Sequence, residues 1–271
     1  MIEVQNVTVE RPGRAAPILE DVSFTLASGE RAVLLGGNGS GKTTLARLLN
    51  GTHLPTRGHV SVEGHDTRDA AGVQHARRAV ALLFQDPDDQ FVSATAEREI
   101  AFGLENLGVA SATMRSLVDA ALRRFDLEAH AQTPPHEMSG GEKARLALAC
   151  TWVMEPRTVV LDETDSLLDR RGGERLEEAI ATLPAETAVL RLTTDAEIAA
   201  ASRRVLFLHA GRILADGAPD EVFATLAPAV EARVGRPLAW RLSQRLVQAR
   251  RIPRPTTSLE RLLHLLGDPG C

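Results

Sequence analysis

The sequence predicts an α/β fold in which helices cover both faces of a mostly parallel sheet. From residue 158 to residue 208, short apolar segments alternate with helical segments, a pattern typical of parallel sheets buried on both faces. A glycine-rich loop at residues 36–41 stands between a predicted strand and a predicted helix. Between about residues 94 and 154 the pattern becomes helical, which indicates a helical subdomain inserted into the core.

The individual elements follow from the spacing of apolar and turn-forming residues. Apolar and β-branched segments predict strands at residues 2–9, 22–26, 31–35, 58–62, 79–84, 158–161, 188–192 and 205–208. Outside the inserted block, helical spacing predicts helices at residues 43–50, 173–183, 197–202 and 237–250, and after Ser258. Ser258 has the residue type of a helix cap. The apolar stripes of the last two helices fit packing against the main domain and a partner surface equally well.

Composition limits the class of protein. The chain has 271 residues, of which 44% are hydrophobic, enough for a substantial core. Its net charge of −5 argues against a nonspecific nucleic-acid binder, which needs a basic surface. Cys150 and Cys271 are too few for a disulfide framework or a zinc site, which fits a reducing cytoplasm. No apolar run is long enough to span a bilayer, so any membrane role is expected to come through partners.

The loop at residues 36–44 predicts a site for nucleotide phosphates. Its glycines let backbone N–H groups turn inward around phosphate oxygens, and the following helix adds the positive end of its dipole. Lys42, one of only two lysines in the chain, is expected to reach the β- and γ-phosphates of ATP, and the Thr43 hydroxyl to ligate Mg²⁺. The nucleotide-binding residues predicted here are Gly36, Asn38, Gly39, Ser40, Gly41, Lys42, Thr43 and Thr44.

Two acidic residues end the apolar strand that begins at residue 158. A buried strand that ends in Asp162 and Glu163 places carboxylates at the carboxyl edge of the sheet, beside the phosphate loop. Asp162 is expected to hold Mg²⁺, through water, and Glu163 to orient and deprotonate an attacking water molecule. General bases contribute about 10²- to 10⁴-fold in rate. Loop and acids together predict an ATPase.

A second predicted anion site comprises Ser139, Gly140, Gly141 and Glu142, just before a predicted helix. A serine hydroxyl, glycine N–H groups and a helix N-terminus are all suited to anions. One ATP needs only one phosphate loop, so a second site on the same chain suggests a composite site between two chains. Ser139 alone would equally fit a simple helix cap.

Taken in order, these motifs resemble those of the ABC-type ATPases. The resemblance covers about residues 2–217 and rests on loop 36–44, Gln85, the signature Ser139 to Glu142, the pair Asp162 and Glu163, and the turn ending at Asp169. It implies a head-to-tail dimer with ATP between one chain's phosphate loop and the other chain's signature. Gln85 would contact Mg²⁺ or the water and sense the membrane partner, and Asp169 would help align the opposing site.

The resemblance also implies an architecture. It is that of a P-loop ABC ATPase, with a mixed sheet core, an antiparallel β subdomain and an inserted helical subdomain. The nucleotide-binding domain would span residues 1–217, with the helical subdomain at about 88–155. Residues 218–271 would form a helical C-terminal extension.

Segments 84–91 and 97–106 narrow the resemblance to ATPases of energy-coupling factor importers, the cobalt and vitamin type. This implies a peripheral protein on the cytoplasmic face of the cell membrane that powers uptake of vitamins or transition-metal ions. Its partners would be a second ABC ATPase subunit, with a heterodimer favoured, a transmembrane coupling subunit and a membrane substrate-binding subunit. No nucleic acid is expected.

The sequence departs from the family pattern at three places. Thr194 stands where the family usually has a switch histidine, and loss of one such donor commonly costs about 10²- to 10³-fold in rate. Thr164 and Asp165 replace the usual Pro-Thr, which adds negative charge near the phosphates. Arg11 occupies the position of an adenine-stacking aromatic, where a guanidinium plane can also stack. We therefore expect this chain's own site to bind ATP but to hydrolyse it slowly.

Alternative functions stay open at this point. One is the ATPase subunit of another type of ABC transporter, which the segment at 84–91 argues against. Another is a soluble regulatory or nucleic-acid-handling ABC protein, although these usually have two fused ATPase halves or a long coiled coil. A third is a nucleotide-binding subunit with little turnover, an alternative that Thr194 supports.

Overall fold

A computed structural model describes residues 1–13, 16–84, 90–164, 170–226 and 233–267. Its strands are β1 (Ile2–Val9), β2 (Leu19–Leu26), β3 (Arg31–Leu35), β4 (Arg57–Val62), β5 (His65–Asp66), β6 (Val80–Leu83), β7 (Thr158–Asp162), β8 (Ala188–Thr193), β9 (Val205–His209) and β10 (Arg212–Gly217). Its α-helices are α1 (Lys42–Leu49), α2 (Ala70–Ala79), α3 (Ala96–Asn106), α4 (Ser111–Arg124), α5 (Gly140–Trp152), α6 (Arg170–Ala181), α7 (Ala196–Ala200), α8 (Pro219–Thr225), α9 (Leu238–Gln248) and α10 (Leu259–Gly267).

The larger sheet has the order β10-β9-β3-β8-β7-β6 within the described residues. All neighbouring strands in it are parallel except β10, which pairs antiparallel with β9. Strand β8 lies between β3 and β7, so the carboxyl ends of these three strands meet at one edge. The mixed sheet core predicted from the sequence is confirmed.

The smaller sheet is antiparallel, with the order β2-β1-β4-β5. A continuous apolar core joins it to α1 and to the larger sheet, and includes Val4, Leu26, Leu45 and Leu190. All four side chains are at most 1% exposed, which explains why α1 cannot move independently of either sheet. The antiparallel β subdomain is therefore also confirmed.

The sequence did not predict helix α2. Because of this helix, the next strand starts at residue 80 and not at the predicted residue 79. The predicted strand at 79–84 shortens to Val80–Leu83 because Ala79 is the last residue of α2. Gly72 within α2 had weakened the helical signal. Its role is spatial: a Cβ atom at Gly72 would lie 1.8 Å from the Asp66 carbonyl oxygen, so only glycine lets α2 pack against β5.

Helices α3, α4 and α5 form the inserted helical block. Their apolar faces share one core with β6, β7 and α6, and its buried members include Ile100, Leu122, Leu146 and Leu176. Glu99, at 6% exposure, accepts backbone hydrogen bonds from Val92 (3.0 Å) and Ser93 (2.6 Å), and so holds the chain entering α3.

The C-terminal tail packs on the larger sheet through α8 and α9. Phe223, Val234 and Trp240 are buried in one cluster with Phe207 of β9. Trp240 is 2% exposed, whereas Leu238 and Leu242 on the predicted leucine stripe of α9 are 54% and 40% exposed. The sequence left open whether the leucine stripe of α9 packs against the main domain; at Leu238 and Leu242 it does not, and the buried face carries Trp240 instead.

Ser258 caps α10, as predicted. Its hydroxyl accepts a hydrogen bond from the Arg261 N–H at 3.2 Å. None of the helices in the described residues is both long and apolar enough to cross a membrane.

Trp240→Ala should lower the free energy of unfolding by about 3–5 kcal/mol, because it removes a large buried side chain that the tail uses to pack on the sheet. Leu242→Ala on the same helix is the matched control, and should change it by less than about 0.5 kcal/mol. Urea unfolding followed by circular dichroism measures both. Equal losses of unfolding free energy would contradict the conclusion that the Trp240 face, and not the leucine face, holds the tail.

Candidate functional site

Three strand ends form the base of the candidate site. The phosphate loop follows β3, Glu163 follows β7 and Thr194 follows β8. The Gly36 N–H donates to the Thr193 carbonyl at 3.1 Å, and the Glu163 N–H donates to the Leu192 carbonyl at 3.0 Å. These bonds continue the strand pairing beyond the strands, so segments distant in the sequence are held side by side.

The loop depends on glycine at its start and at its end. A Cβ atom at Gly36 would lie 2.5 Å from the Leu208 carbonyl oxygen, so the neighbouring strand leaves no room for one. Gly41, at the start of α1, has φ of 111°, a conformation that other residues rarely adopt. Between them, the Ser40 N–H donates to the Gly37 carbonyl at 3.2 Å and tightens the loop.

Lys42 is buried inside this loop. Its side chain is 5% exposed, and Nζ donates to the carbonyl oxygens of Gly36 (2.7 Å) and Gly37 (3.3 Å). The same nitrogen forms an ion pair with Glu163 Oε1 at 2.9 Å. Two motifs predicted independently from the sequence are thus in direct contact.

Glu163 has a backbone conformation that is unusual for its residue type. Its φ of 51° lies in the left-handed region, which costs non-glycine residues of the order of 1 kcal/mol or more. Strain of this kind persists where the surroundings hold it, and it is common at functional sites. Here the Glu163 N–H bond to Leu192 and the ion pair to Lys42 hold it.

Asp162 and Thr43 supply a pair of oxygen ligands beneath the loop. Asp162 is 3% exposed. Burial raises the pKa of Asp162 above its ordinary value, and the neighbouring Thr43 hydroxyl opposes that rise. Hydroxyl and carboxylate oxygens suit Mg²⁺, which usually takes one or two protein ligands together with substrate phosphates and water.

A cavity of about 450 Å³ opens beside the loop. It is lined by Arg11, Ile18, Asn38, Gly39, Gly41, Lys42, Thr43, Thr44 and Glu163. Arg11, predicted as a stacking residue, is therefore at the rim of the candidate nucleotide site. Ile18, which adds an apolar wall, was missed because one isoleucine before β2 carries no signal of its own.

A second cavity, of about 400 Å³, lies on the other side of Asn38. Asn38, Thr194 and Arg233 line it. The sequence predicted a site role for Asn38 and Thr194. Arg233 was missed, because it is one arginine among eight in an arginine-rich tail.

The segment Ser139–Glu142 begins α5 as a capping box. The Ser139 hydroxyl accepts from the Glu142 N–H at 3.4 Å, and the Ser139 N–H donates to the Glu142 carboxylate at 2.8 Å. This backbone hydrogen bond is the main reason that the pKa of Glu142 lies below its ordinary value. Ser139 and Gly140 are exposed, and neither of the two cavities is lined by a described residue of this segment.

The remaining predicted site residues are Gln85 and Asp169. Both lie outside the described residues.

Comparisons with known proteins agree with this geometry. The family model for ABC transporters matches residues 19–166. The energy-coupling factor transporter ATP-binding protein EcfA of Syntrophomonas wolfei is 40% identical over 229 residues, which cover 84% of each chain. EcfA1 of Geobacillus kaustophilus is 36% identical, over 91% of this chain and 88% of that protein. The structure of cbiO1 from Clostridium perfringens, part of the ABC transporter complex cbiONQ, aligns with a TM-score of 0.73 and 27% identity over 98% of each chain.

Glu142→Ala should lower the free energy of unfolding by about 1 kcal/mol at pH 7, because the capping box loses its carboxylate. Since the folded-state pKa of Glu142 is depressed, its contribution is present above the unfolded pKa and disappears as the pH falls through the folded value. Chemical unfolding at pH 7 and at about pH 3 tests this. The exposed Glu137→Ala is the control and should show no such loss at pH 7. A deficit of the same size at both pH values would contradict the assignment.

Proposed function

The chain belongs to the ABC transporter family, among its energy-coupling factor ATP-binding proteins, and on this premise we propose how its site uses ATP to power an importer of vitamins or transition-metal ions. As an ATP-binding subunit of this family, it is an ATPase. The observation that carries the proposed mechanism is the 2.9 Å contact between Lys42 and Glu163 within the phosphate loop.

In this mechanism Lys42 exchanges partners when ATP binds. Its ammonium is held by the carbonyls of Gly36 and Gly37, and it turns from the Glu163 carboxylate to the β- and γ-phosphates. The exchange keeps the buried charge paired and frees Glu163 to face a water molecule. As the water oxygen attacks the γ-phosphorus, its proton passes to Glu163 and the bond to the leaving oxygen of ADP breaks.

The remaining loop residues bind the nucleotide. Backbone N–H groups of Asn38, Gly39 and Gly41, together with the side chain of Thr44, would surround the phosphates, while Gly36 and Ser40, whose N–H groups bond to backbone carbonyls, would shape the loop. Arg11 and Ile18 line the same cavity as the loop, which supports a stacking contact between the Arg11 guanidinium and adenine.

Thr43 and Asp162 fit a Mg²⁺ ion, because a hydroxyl and a carboxylate already meet there. When bound, the ion would neutralise charge on the β- and γ-phosphate oxygens. Gln85 is proposed as a further ligand, on the resemblance alone.

A second chain is needed to complete each site. Ser139 to Glu142 would contact the ATP of the partner chain, and their exposure at the start of α5 supports this. From the family resemblance alone, we propose that Asp169 helps to align the ATP site of the opposing chain. In this assembly residues 1–217 form the nucleotide-binding domain, residues of about 88–155 its helical subdomain, and residues 218–271 the extension.

The wider assembly follows from the relatives. The aligned cbiO1 protein is part of a transporter complex, which supports docking of this chain to a transmembrane coupling subunit. A membrane substrate-binding subunit would carry the transported substrate, and the chain would sit peripherally on the cytoplasmic face of the membrane.

We further propose that the two ATP sites of a heterodimer are unequal. Thr194 lies at the end of β8, beside the loop, and offers a short neutral hydroxyl where the family usually has an imidazole. This chain's own site would bind ATP and hydrolyse it slowly, while its signature would complete the faster site of the partner.

Lys42→Ala should weaken ATP binding by the isolated chain about 10- to 100-fold, since hydrogen bonds to charged groups contribute about 1.5–3 kcal/mol. Lys143→Ala removes the other lysine and is the matched control. It should leave ATP binding by the isolated chain unchanged. Lys143 directly follows the signature Ser139 to Glu142, which is proposed to contact the ATP of the partner chain. Titration with a fluorescent ATP analogue measures both. An unaltered affinity in Lys42→Ala would contradict the assigned site.

Glu163→Gln in this chain should lower ATP turnover of the assembled complex by less than about twofold. The matching change in the partner should lower it about 10²- to 10⁴-fold, as loss of a general base does. Thr194→His should raise turnover. Steady-state phosphate release by the purified complex measures the turnover of each variant. An equal loss of turnover from the two glutamate changes would contradict the proposed asymmetry. It would not contradict the proposal that the loop binds ATP.

A further inference from the structure

We infer that Arg233 of the C-terminal extension binds the terminal phosphate of the ATP held by this chain's own loop. The inference rests on the proposed function in one respect, that the loop binds ATP. It assigns a nucleotide contact to a part of the chain outside the ABC-type motifs.

Arg233 lies directly against the phosphate loop. A Cβ atom added at Gly37 would lie 3.2 Å from Arg233 Cβ and 3.8 Å from Arg233 Cδ. The lack of a side chain at Gly37 is thus what lets the stem of Arg233 pack on the loop backbone.

The side chain of Arg233 faces a space that adjoins the nucleotide site. It lines the 400 Å³ cavity with Asn38 and Thr194, and Asn38 also lines the 450 Å³ cavity that holds Lys42 and Glu163. Thr194, which lines the second cavity, directly follows β8. Strand β8 lies next to β7, and Glu163 follows the end of β7. The terminal phosphate must lie near this end of the loop for Glu163 to activate a water molecule that attacks it.

The fold holds the backbone of Arg233 in place without a ligand. The next residue, Val234, is 9% exposed and packs in the cluster that contains Trp240. The Leu238 N–H donates to Glu197 Oε1 at 2.7 Å, and Glu197 belongs to the short helix that starts just after Thr194. One helix thus anchors both the extension and the segment of Thr194.

The charge of Arg233 is available for an anion. The residue is exposed, and in the described parts of the chain no carboxylate lies within 4.0 Å of its guanidinium. Thr194 contributes no charge, whereas a guanidinium can form two parallel hydrogen bonds to phosphate oxygens. Arginine accepts no proton from water, so Arg233 would strengthen ATP binding without replacing the base.

The test compares ATP with ADP, because only ATP has the terminal phosphate. In a Glu163→Gln background, which blocks hydrolysis, Arg233→Ala should weaken MgATP binding to the isolated chain about 10-fold or more and MgADP binding less than twofold. Arg233→Lys, which keeps the charge, should restore part of the ATP affinity. Arg241→Ala, an exposed arginine of the same extension that lines neither cavity, is the matched control and should change neither affinity.

Gly37→Ala gives an independent test, since the added Cβ would displace Arg233. It should also lower the ratio of ATP to ADP affinity, and should add little in the Arg233→Ala background, as expected for two changes that act on one contact. Equal weakening of ATP and ADP by Arg233→Ala, or no weakening, would overturn the inference. If Lys42→Ala still weakens nucleotide binding in that case, the proposed function survives. If Lys42→Ala has no effect either, the proposed function fails as well.

Discussion

The burial of the Lys42 ammonium is the constraint on which the rest of the site depends. A charge that is 5% exposed is stable only when hydrogen-bond acceptors surround it, and here the loop provides two carbonyls and Glu163 provides a carboxylate. The loop must therefore curve around Lys42, which requires glycine at positions that cannot hold a Cβ. The carboxylate must come from a different strand, which ties the loop to β7. Phosphates are a natural replacement for that carboxylate, and this is the exchange proposed for ATP binding.

The proposed dimer would complete the site for a geometric reason. Ser139 and Gly140 are exposed at the N-terminus of α5, and none of residues 139–142 lines either of the two cavities. An anion-binding helix end of this kind has a use only if another molecule brings the anion. The sandwich dimer proposed above supplies it, and also explains why the chain needs both a loop and a signature.

The C-terminal extension connects to the site through packing and not through sequence motifs. Trp240, Val234 and Phe223 bury the start of the extension against the sheet, and Glu197 fixes α9 next to the segment of Thr194. A change in the position of the extension would therefore move Arg233 relative to the loop. In the arrangement proposed above, this packing would link the position of the tail to the terminal phosphate.

The sequence by itself determined most of the strands, the phosphate loop and the acid pair. These features depend on local spacing: glycines within a few residues, apolar runs of strand length, and two acids at a strand end. Helix α2 escaped prediction because Gly72 is explained only by the Asp66 carbonyl beside it. The contact of Lys42 with Glu163, the role of Ile18 and the position of Arg233 were decided by the tertiary structure alone. Each of them joins residues that are far apart in the chain, and the strand order and packing that bring such residues together are not encoded in the spacing of any one segment.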